Sequence, residues 1–146
     1  MRIPNMRPGA IAHIRGEGGI SGAVKFYQMR DGVVLTADIA GLPQTPPSGF
    51  FAMHIHEGPD CGGTDYANTG GHFNPSGAAH PAHAGDLPPL LSGGGQAHMA
   101  VWTNRFRLAD VIGKTVVIHE NPDDFHTQPA GNSGRKLACG VIMAVR

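Results

Sequence analysis

The chain has 146 residues, a size typical of one domain with a buried core, and we predict a single domain over residues 1–146. Lysine plus arginine and aspartate plus glutamate number 11 each, so no excess of positive charge favours nucleic acid or an anionic membrane surface. No apolar run approaches the roughly 18 residues of a membrane span. We therefore expect neither nucleic acid nor a membrane among the partners.

The N-terminal segment bears on the cellular compartment. Its first ten residues carry Arg2 and Arg7 but lack the apolar stretch of about 7–15 residues that is typical of a signal peptide. The sequence therefore predicts a cytoplasmic protein, or an exported, periplasmic protein if a leader is missing.

Glycine and proline, 22 and 12 residues, separate short apolar segments and indicate turns in an all-β domain. The third strand shows the clearest period of two, with Thr36 and Asp38 on the face opposite the apolar side chains. That pattern predicts one buried and one solvated face, as in an antiparallel sandwich or barrel. A helical turn is predicted at 107–112. The predicted strands are 10–14, 23–28, 33–39, 50–57, 98–103, 115–119 and 137–145.

One segment, residues 58–96, interrupts this rhythm because it has no convincing strand or helix. A compact domain rarely tolerates so long an irregular segment unless specific bonds hold it. We predict that metal bonds and a crosslink hold it. The ligand-type side chains in the segment are Cys61, His72, His80, His83 and Asp86.

Three histidines on predicted strands could share one metal ion. His54 and His56 are two residues apart in a strand, so both rings leave the same face, roughly 6.6 Å apart along it. His119 ends another strand and could approach from a neighbouring position. An all-imidazole set of this kind suits copper.

The remaining ligand-type residues predict a second, adjacent ion. His80, His83 and Asp86 lie within seven residues of loop, and His72 lies between the two groups in sequence. A deprotonated imidazole can hold one metal on each nitrogen, so we assign His72 to both ions. The second ion then has a closed tetrahedral set suited to zinc.

These residues stand in motifs that resemble the copper/zinc superoxide dismutase family from about Gly22 to the C-terminus. The resemblance implies an eight-stranded antiparallel Greek-key β-barrel or immunoglobulin-like sandwich. It also implies an antioxidant oxidoreductase. The segments that carry it are His-Ile-His-Glu-Gly-Pro-Asp-Cys at 54–61, Gly-Gly-His-Phe-Asn-Pro at 70–75, His-Ala-Gly-Asp-Leu at 83–87, Gly-Lys-Thr-Val-Val-Ile-His-Glu at 113–120, and Gly-Asn-Ser-Gly at 131–134 through Leu-Ala-Cys-Gly-Val-Ile at 137–142.

The resemblance assigns the ligands of one copper and one zinc ion per chain. It implies copper binding by His54, His56, His72 and His119. It implies zinc binding by His72, His80, His83 and Asp86, with His72 as the bridge.

By the same resemblance, superoxide is converted to dioxygen and hydrogen peroxide by alternating Cu(II)/Cu(I) redox, with His72 as the proton relay. Asp123 matches an aspartate that hydrogen-bonds one ligand of each metal. Cys61 and Cys139 match an intrachain disulfide, which favours an oxidising compartment.

Two departures distinguish this chain within that family. The short steps from His56 to Cys61 and from His80 to His83 look bacterial rather than eukaryotic. Where the family usually carries an arginine over the copper, this chain has Lys136, preceded by Arg135. Lysine keeps the charge but loses the planar fork that binds two oxygens. We expect Lys136 to dock the anion, with Arg135 as the alternative.

Two other functions remain open at this point. A copper/zinc-binding or copper-carrying protein of the same fold with weak or no turnover would keep the ligands, and the missing arginine is its support. A hydrolytic zinc enzyme would need an open coordination position and a nearby base, which the closed zinc set does not offer. The family includes monomers and dimers, so a homodimer is compatible with the sequence.

Overall fold

The computed structural model describes residues 5–146, and antiparallel strands account for most of its regular structure. Arg2, part of the segment considered for a signal peptide, lies outside these residues. The strands are β1 Ala10–Gly16, β2 Ser21–Gln28, β3 Val33–Ala40, β4 Phe50–Phe51, β5 Met53–His56, β6 Leu90–Leu91, β7 Ala97–Thr103, β8 Thr115–His119 and β9 Lys136–Ala144; the helices are α1 Leu108–Val111 and the 3₁₀ turns Glu17–Gly19 and Thr64–Thr69.

Seven of these strands form one curled antiparallel sheet in the order β5-β8-β9-β1-β2-β3-β7. β4 and β6 pair separately, through Phe50 with Leu91 and Phe51 with Leu90. Because β4 runs directly into β5 and β6 lies beside β7, this small ladder lies between the two edges of the large sheet. The prediction of an all-β antiparallel fold is confirmed.

The predicted strand at 50–57 is interrupted at Ala52. The amide of Ala52 donates to the carbonyl of Asn121, and its carbonyl accepts from the amide of His119, both at 2.9 Å. Ala52 therefore bonds to the chain at and beyond the end of β8, and strand pairing changes from β6 before it to β8 after it. If β4 and β5 are counted as one interrupted strand, the described residues contain the predicted eight.

The prediction that residues 58–96 contain no strand or helix is wrong in two places. Leu90–Leu91 forms β6, and Thr64–Thr69 forms a 3₁₀ turn. Asp65 and Tyr66 in that turn have φ values of 53° and 60°, a left-handed conformation uncommon outside glycine. A two-residue strand and a turn of this kind are too short for residue periodicity to reveal.

The apolar side chains of β3 form the predicted buried face, since Val33, Leu35, Ala37 and Ile39 are at most 3% exposed. On the opposite face Asp38 is exposed as predicted, but Thr36 is buried. β3 lies between β2 and β7, whose Lys25 and Ala100 directly flank Thr36. One apolar cluster extends through the sheet. The assignment of residues 1–146 to a single domain stays a prediction.

No helix in the part of the chain from residue 5 onwards has the length and apolarity needed to cross a membrane.

Candidate metal centre

The strand β5 places two histidines on one side of the sheet and two apolar side chains in the core. Met53 and Ile55 join the apolar cluster, so the alternating His54 and His56 leave the opposite face, both buried. Their ring centroids are 6.2 Å apart. β8 pairs with β5, and its last residue, His119, brings its ring centroid within 5.3 Å of that of His56.

The irregular segment before β6 brings four further side chains to the same place. His72 Nδ1 lies 2.8 Å from Asp86 Oδ1 and 3.1 Å from His83 Nδ1. The second carboxylate oxygen, Asp86 Oδ2, lies 3.1 Å from His80 Nδ1 and 3.2 Å from His83 Nδ1. The His72 ring is also 4.0 Å, centroid to centroid, from that of His54. His72 therefore lies between the strand histidines and the loop ligands.

In the described part of the chain, residues 5–146, two four-residue groups each have potential ligand atoms that all lie within 4.8 Å of one another. The first consists of the four residues predicted for copper: His54, His56, His72 and His119. The second contains His72, His80 and Asp86 as predicted, but with His54 in place of His83. His83 was predicted for the second group, and its Nδ1 lies 3.2 Å from Asp86 Oδ2 and 3.1 Å from His72 Nδ1. Its place among the ligands stays a prediction.

Asp123 has a buried carboxylate that bridges two histidines, one from each predicted ligand set. His54 Nε2 and His80 Nε2 each lie 2.8 Å from one of its oxygens. Burial opposes ionisation of Asp123, but the hydrogen bonds from His54 and His80 outweigh it and hold its pKa well below the usual range. An ionised carboxylate only accepts hydrogen bonds, so both Nε2 atoms carry the proton. His54 and His80 then have only Nδ1 to offer a metal.

Two backbone carbonyls orient the other strand histidines in the same way. His56 Nδ1 donates to the Gly70 carbonyl at 2.8 Å, and His119 Nδ1 donates to the Gly134 carbonyl at 3.3 Å. In a neutral ring the Nε2 atom then carries a lone pair. These two Nε2 atoms are only 3.2 Å apart. Two lone pairs at that distance repel unless a cation or a proton lies between or beside them.

Three buried nitrogens within residues 5–146 have no hydrogen-bond partner: His54 Nδ1, His72 Nε2 and His80 Nδ1. A buried polar atom left without a partner costs about 1–3 kcal/mol, so three in one cluster are unusual. All three are atoms that the tautomer argument or the ligand assignment leaves for a metal. The residues present therefore fit two metal ions held on either side of His72.

A glycine makes room for this arrangement. A Cβ on Gly131 would come within 1.9 Å of Asp123 Oδ1 and 2.7 Å of His80 Nε2, and the residue has a φ of +72°. Any side chain there would displace the bridging carboxylate. The sequence motif contained Gly131, but residue type alone did not indicate that it faces Asp123.

Burial keeps the strand histidines neutral in the metal-free chain. It is the main reason that the pKa of His119 falls to about 3 and that the pKa of His56 falls well below its usual value. The neighbouring His54 lowers the pKa of His119 further, and His119 lowers the pKa of His56 further. The pKa values of His54 and His83 are lowered for the same first reason, burial. Protonation of the cluster therefore competes with folding.

We expect the metal-free protein to lose stability as the pH falls below about 6.5. A histidine whose folded pKa is lowered contributes stability fully above its unfolded pKa and loses it as the pH falls towards the folded pKa. For His119 that window runs from the unfolded value of 6.5 to about 3. Each histidine whose pKa is lowered by burial should contribute up to about 1.4 kcal/mol per pH unit. Denaturant unfolding of the chelator-treated protein between pH 7 and pH 5 measures this slope.

A variant lacking the exposed His98, which pairs with Asp38 on the outer sheet face, serves as the control and should show the same slope. A free energy of unfolding that is constant across this interval would contradict the burial argument.

A cavity of about 410 Å³ opens over the cluster. Its lining includes His56, His72, His119 and Lys136. The Lys136 ammonium donates to Thr69 Oγ1 at 2.7 Å and to the Gly70 carbonyl at 3.1 Å, and partial burial lowers its pKa. One positive charge therefore faces the cavity above the strand histidines.

Arg135 is not brought to this cavity. Its guanidinium pairs with Glu17 and lies 3.5 Å from Glu120 Oε2, and it lines a separate cavity with these two acids. The pairing with Glu17 raises the pKa of Arg135. Of the two basic residues predicted for the site, only Lys136 lies beside the histidines.

The segment that supplies the Gly70 carbonyl is attached covalently to the sheet. Cys61 and Cys139 form the predicted disulfide, with Cα atoms 5.8 Å apart. Tyr66 adds a hydrogen bond from its hydroxyl to the Leu137 carbonyl at 3.3 Å. The loop that orients His56 and Lys136 is therefore fixed to β9.

Comparison with known proteins yields matches along most of the chain. A family model described as copper/zinc superoxide dismutase matches residues 20–142. The chain is 34% identical over 150 residues to the Cu-Zn superoxide dismutase of Deinococcus radiodurans, with 88% of this chain and 80% of that protein covered.

Two further matches differ in kind. The chain is 34% identical over 146 residues to the copper chaperone for superoxide dismutase of Mus musculus, covering 91% of this chain and 52% of that protein. The crystal structure of a double mutant of a SOD-like protein from Bacillus subtilis superposes with a TM-score of 0.79 at 28% identity, covering 92% and 97% of the two chains.

Proposed function

This chain belongs to the copper/zinc superoxide dismutase family, and we propose that it disproportionates superoxide to dioxygen and hydrogen peroxide with one copper and one zinc ion. The observation that carries the proposal is the cluster of buried or half-buried histidines that, together with Asp86, forms two groups of converging ligand atoms, both of which contain His54 and His72. A purely structural role does not explain buried nitrogens without partners.

The tautomers select the metal-binding nitrogen of four of these histidines, and proximity to Asp86 selects the Nδ1 atoms of His72 and His83. Copper would be held by His54 Nδ1, His56 Nε2, His72 Nε2 and His119 Nε2. Zinc would be held by the Nδ1 atoms of His72, His80 and His83 together with the Asp86 carboxylate. Bound copper would supply one-electron redox chemistry, whereas zinc does not change oxidation state.

The protein's own contribution to turnover is to position these ligands and to manage protons and charge. His72 Nε2 has no protein hydrogen-bond partner within residues 5–146, and its ring lines the cavity. We propose that this atom, when it is not bound to copper, takes up a proton from solvent and releases it to the reduced oxygen species. Asp123 keeps the rings of His54 and His80 in orientation through their Nε2–H groups, an arrangement that typically matters about 10–100-fold.

Lys136 is the residue that we propose attracts superoxide into the cavity. The chain as a whole carries no net charge, so attraction of an anion depends on a local positive potential. The Lys136 ammonium supplies that charge at the cavity, whereas the Arg135 charge is compensated by Glu17 and Glu120.

We expect Lys136→Ala to lower kcat/KM for superoxide about 10-fold, at the lower end of the range for electrostatic steering. It should also weaken the dependence of the rate on ionic strength. Arg135→Ala, the matched control, should change both quantities little. Pulse radiolysis or stopped-flow measurement at several salt concentrations checks both. An unchanged kcat/KM in Lys136→Ala would contradict the role of Lys136 in attracting superoxide.

The rival function is that of a copper/zinc-binding or copper-carrying protein of the same fold with weak or no turnover. Similarity to a protein named as a copper chaperone favours it. Against it stand the complete set of strand histidines and the positive charge at the cavity. A carrier needs reversible metal exchange but neither a proton relay nor an anion-docking group.

The deciding experiment is metal analysis combined with a superoxide-removal assay on chelated protein reloaded with copper and zinc. The expected result is one ion of each metal per chain and activity that cyanide inhibits, with zinc-only protein as the inactive control. Full loading of both metals without superoxide removal would reject the enzyme and support the carrier.

A further inference from the structure

The loop that supplies most of the proposed zinc ligands has little regular structure of its own. We refer to residues 79–86 as the ligand loop. Within it, the backbone bonds from Ala82 to Ala79 and from Asp86 to His83 are single turns. A segment with so few internal hydrogen bonds depends for its conformation on hydrogen bonds from neighbouring segments.

One external contact comes from Gln128, on the loop between β8 and β9. Its Oε1 accepts from the His80 amide at 2.8 Å, and its Nε2 donates to the His80 carbonyl at 2.7 Å. A single side chain therefore satisfies both backbone groups of a proposed zinc ligand. Nε2 also donates to the His126 carbonyl at 3.1 Å, which fixes the amide's orientation.

The second contact comes from Arg105, which follows β7. Its Nη1 donates to the Pro81 carbonyl at 2.8 Å and to the His83 carbonyl at 3.2 Å. The Arg105 amide donates to Thr103 Oγ1 at 3.2 Å, which ties the turn to the end of β7. Gln128 and Arg105 thus hold successive parts of the ligand loop from two different neighbouring segments.

We propose that Gln128 and Arg105 are positioning residues that preorganise the ligand loop for zinc. They fix the backbone of His80 through His83, so that the ring nitrogens converge before the ion binds. A loop ordered in advance spends less of the binding free energy on its own ordering. The inference rests on the proposed metal assignment, but it concerns zinc affinity and not turnover.

Electrostatics alone predicts that removal of the Arg105 charge strengthens zinc binding, which is the opposite of the effect expected from lost positioning. Arg105 is positively charged and contacts the carbonyls beside the zinc ligands. Removing a positive charge near a cation site should by itself strengthen cation binding. Weaker zinc binding in Arg105→Ala would therefore have to come from lost positioning.

Both side chains are exposed, so their removal leaves the apolar core intact. The variants are Gln128→Met and Arg105→Ala, with Arg105→Lys as the conservative replacement that keeps the charge and one donor. The matched controls are Gln44→Met and Arg30→Ala, at exposed positions of the same residue types.

Zinc affinity is measured on the metal-free full chain by competition with a chromogenic chelator. The visible spectrum of Co²⁺ bound in the same site reports its geometry. We expect Gln128→Met and Arg105→Ala each to weaken zinc binding about 10-fold, the lower end for residues that support metal ligands. Arg105→Lys should recover part of the affinity, both controls should match the parent, and the Co²⁺ bands should shift in the first two variants.

Unfolding of each metal-free variant by denaturant separates positioning from general stability. Unchanged midpoints together with weakened zinc binding support the proposal. Zinc affinity equal to the parent's in both variants overturns it, as does a loss of affinity matched by an equal loss of metal-free stability. Failure of the parent to remove superoxide would reject the proposed function but leave this comparison valid.

Discussion

Replacing His72 with alanine is expected to abolish superoxide removal and to lower the affinity of both metal positions together. Among the residues from 5 to 146, His72 Nε2 has no hydrogen-bond partner, while its Nδ1 lies beside Asp86 and His83. Residues that merely support a ligand typically matter about 10–100-fold, so loss of a shared ligand should reduce the rate by at least about 100-fold. The measurements are copper and zinc content after reconstitution and the rate of superoxide removal.

The matched control for this variant is His98→Ala, which removes an exposed histidine from β7. His98 pairs with Asp38 on the outer face of the sheet, so metal content and rate should both match the parent. If His72→Ala kept the parent's rate, or kept full affinity for both metals, the assignment of a shared imidazole would be rejected. If only one metal position weakened, His72 would be an ordinary ligand of that ion.

The strand histidines could be placed from sequence because the information is local. Alternate residues of a strand share a face, and the apolar neighbours Met53 and Ile55 determine which face joins the apolar core. The same reasoning placed the buried face of β3. This reasoning failed for Thr36 because the burial of Thr36 depends on the two strands that flank β3. Residue alternation within one strand does not identify its neighbouring strands.

The contacts that orient the cluster could not be read from sequence because most are made by backbone atoms. The carbonyls of Gly70 and Gly134 fix the tautomers of two histidines, and any residue type presents a carbonyl. The roles of Gln128 and Arg105 were missed for the same reason, since each binds backbone groups. The bridging role of Asp123 was found only through family resemblance.

Residue type also failed to separate Lys136 from Arg135. Neighbouring residues on a strand point to opposite faces, which would normally separate the two side chains. However, the pairing of β8 with β9 shifts in register between Ile118 and His119, beside Lys136. Alternation along the strand therefore does not show which side chain lies beside the histidines. The structure places Arg135 against the acids Glu17 and Glu120, and Lys136 beside the histidines. Glu17 is far away in sequence, so its proximity follows from the pairing of β1 with β9.

Removing the disulfide by the double substitution Cys61→Ala and Cys139→Ala is expected to destabilise the metal-free protein by about 4 kcal/mol. The bond closes a loop with a sequence separation of 78 residues, and opening it restores conformational freedom to the unfolded chain. A change of this size alters the folding equilibrium about a thousandfold. Denaturant unfolding of the metal-free protein measures it without the added stability that bound metal gives the native state.

Reduction of the parent distinguishes the crosslink from the lost side-chain packing of Cys139, which is buried. A thiol reductant should bring the parent to nearly the stability of the double variant, while the variant itself should not respond. The loss should extend to the site, because the crosslinked segment supplies the Gly70 carbonyl that orients both His56 and Lys136. Copper affinity should therefore fall as well. A reduced parent with unchanged unfolding and unchanged copper affinity would show that the loop is held without the disulfide, by contacts such as that of Tyr66 with Leu137.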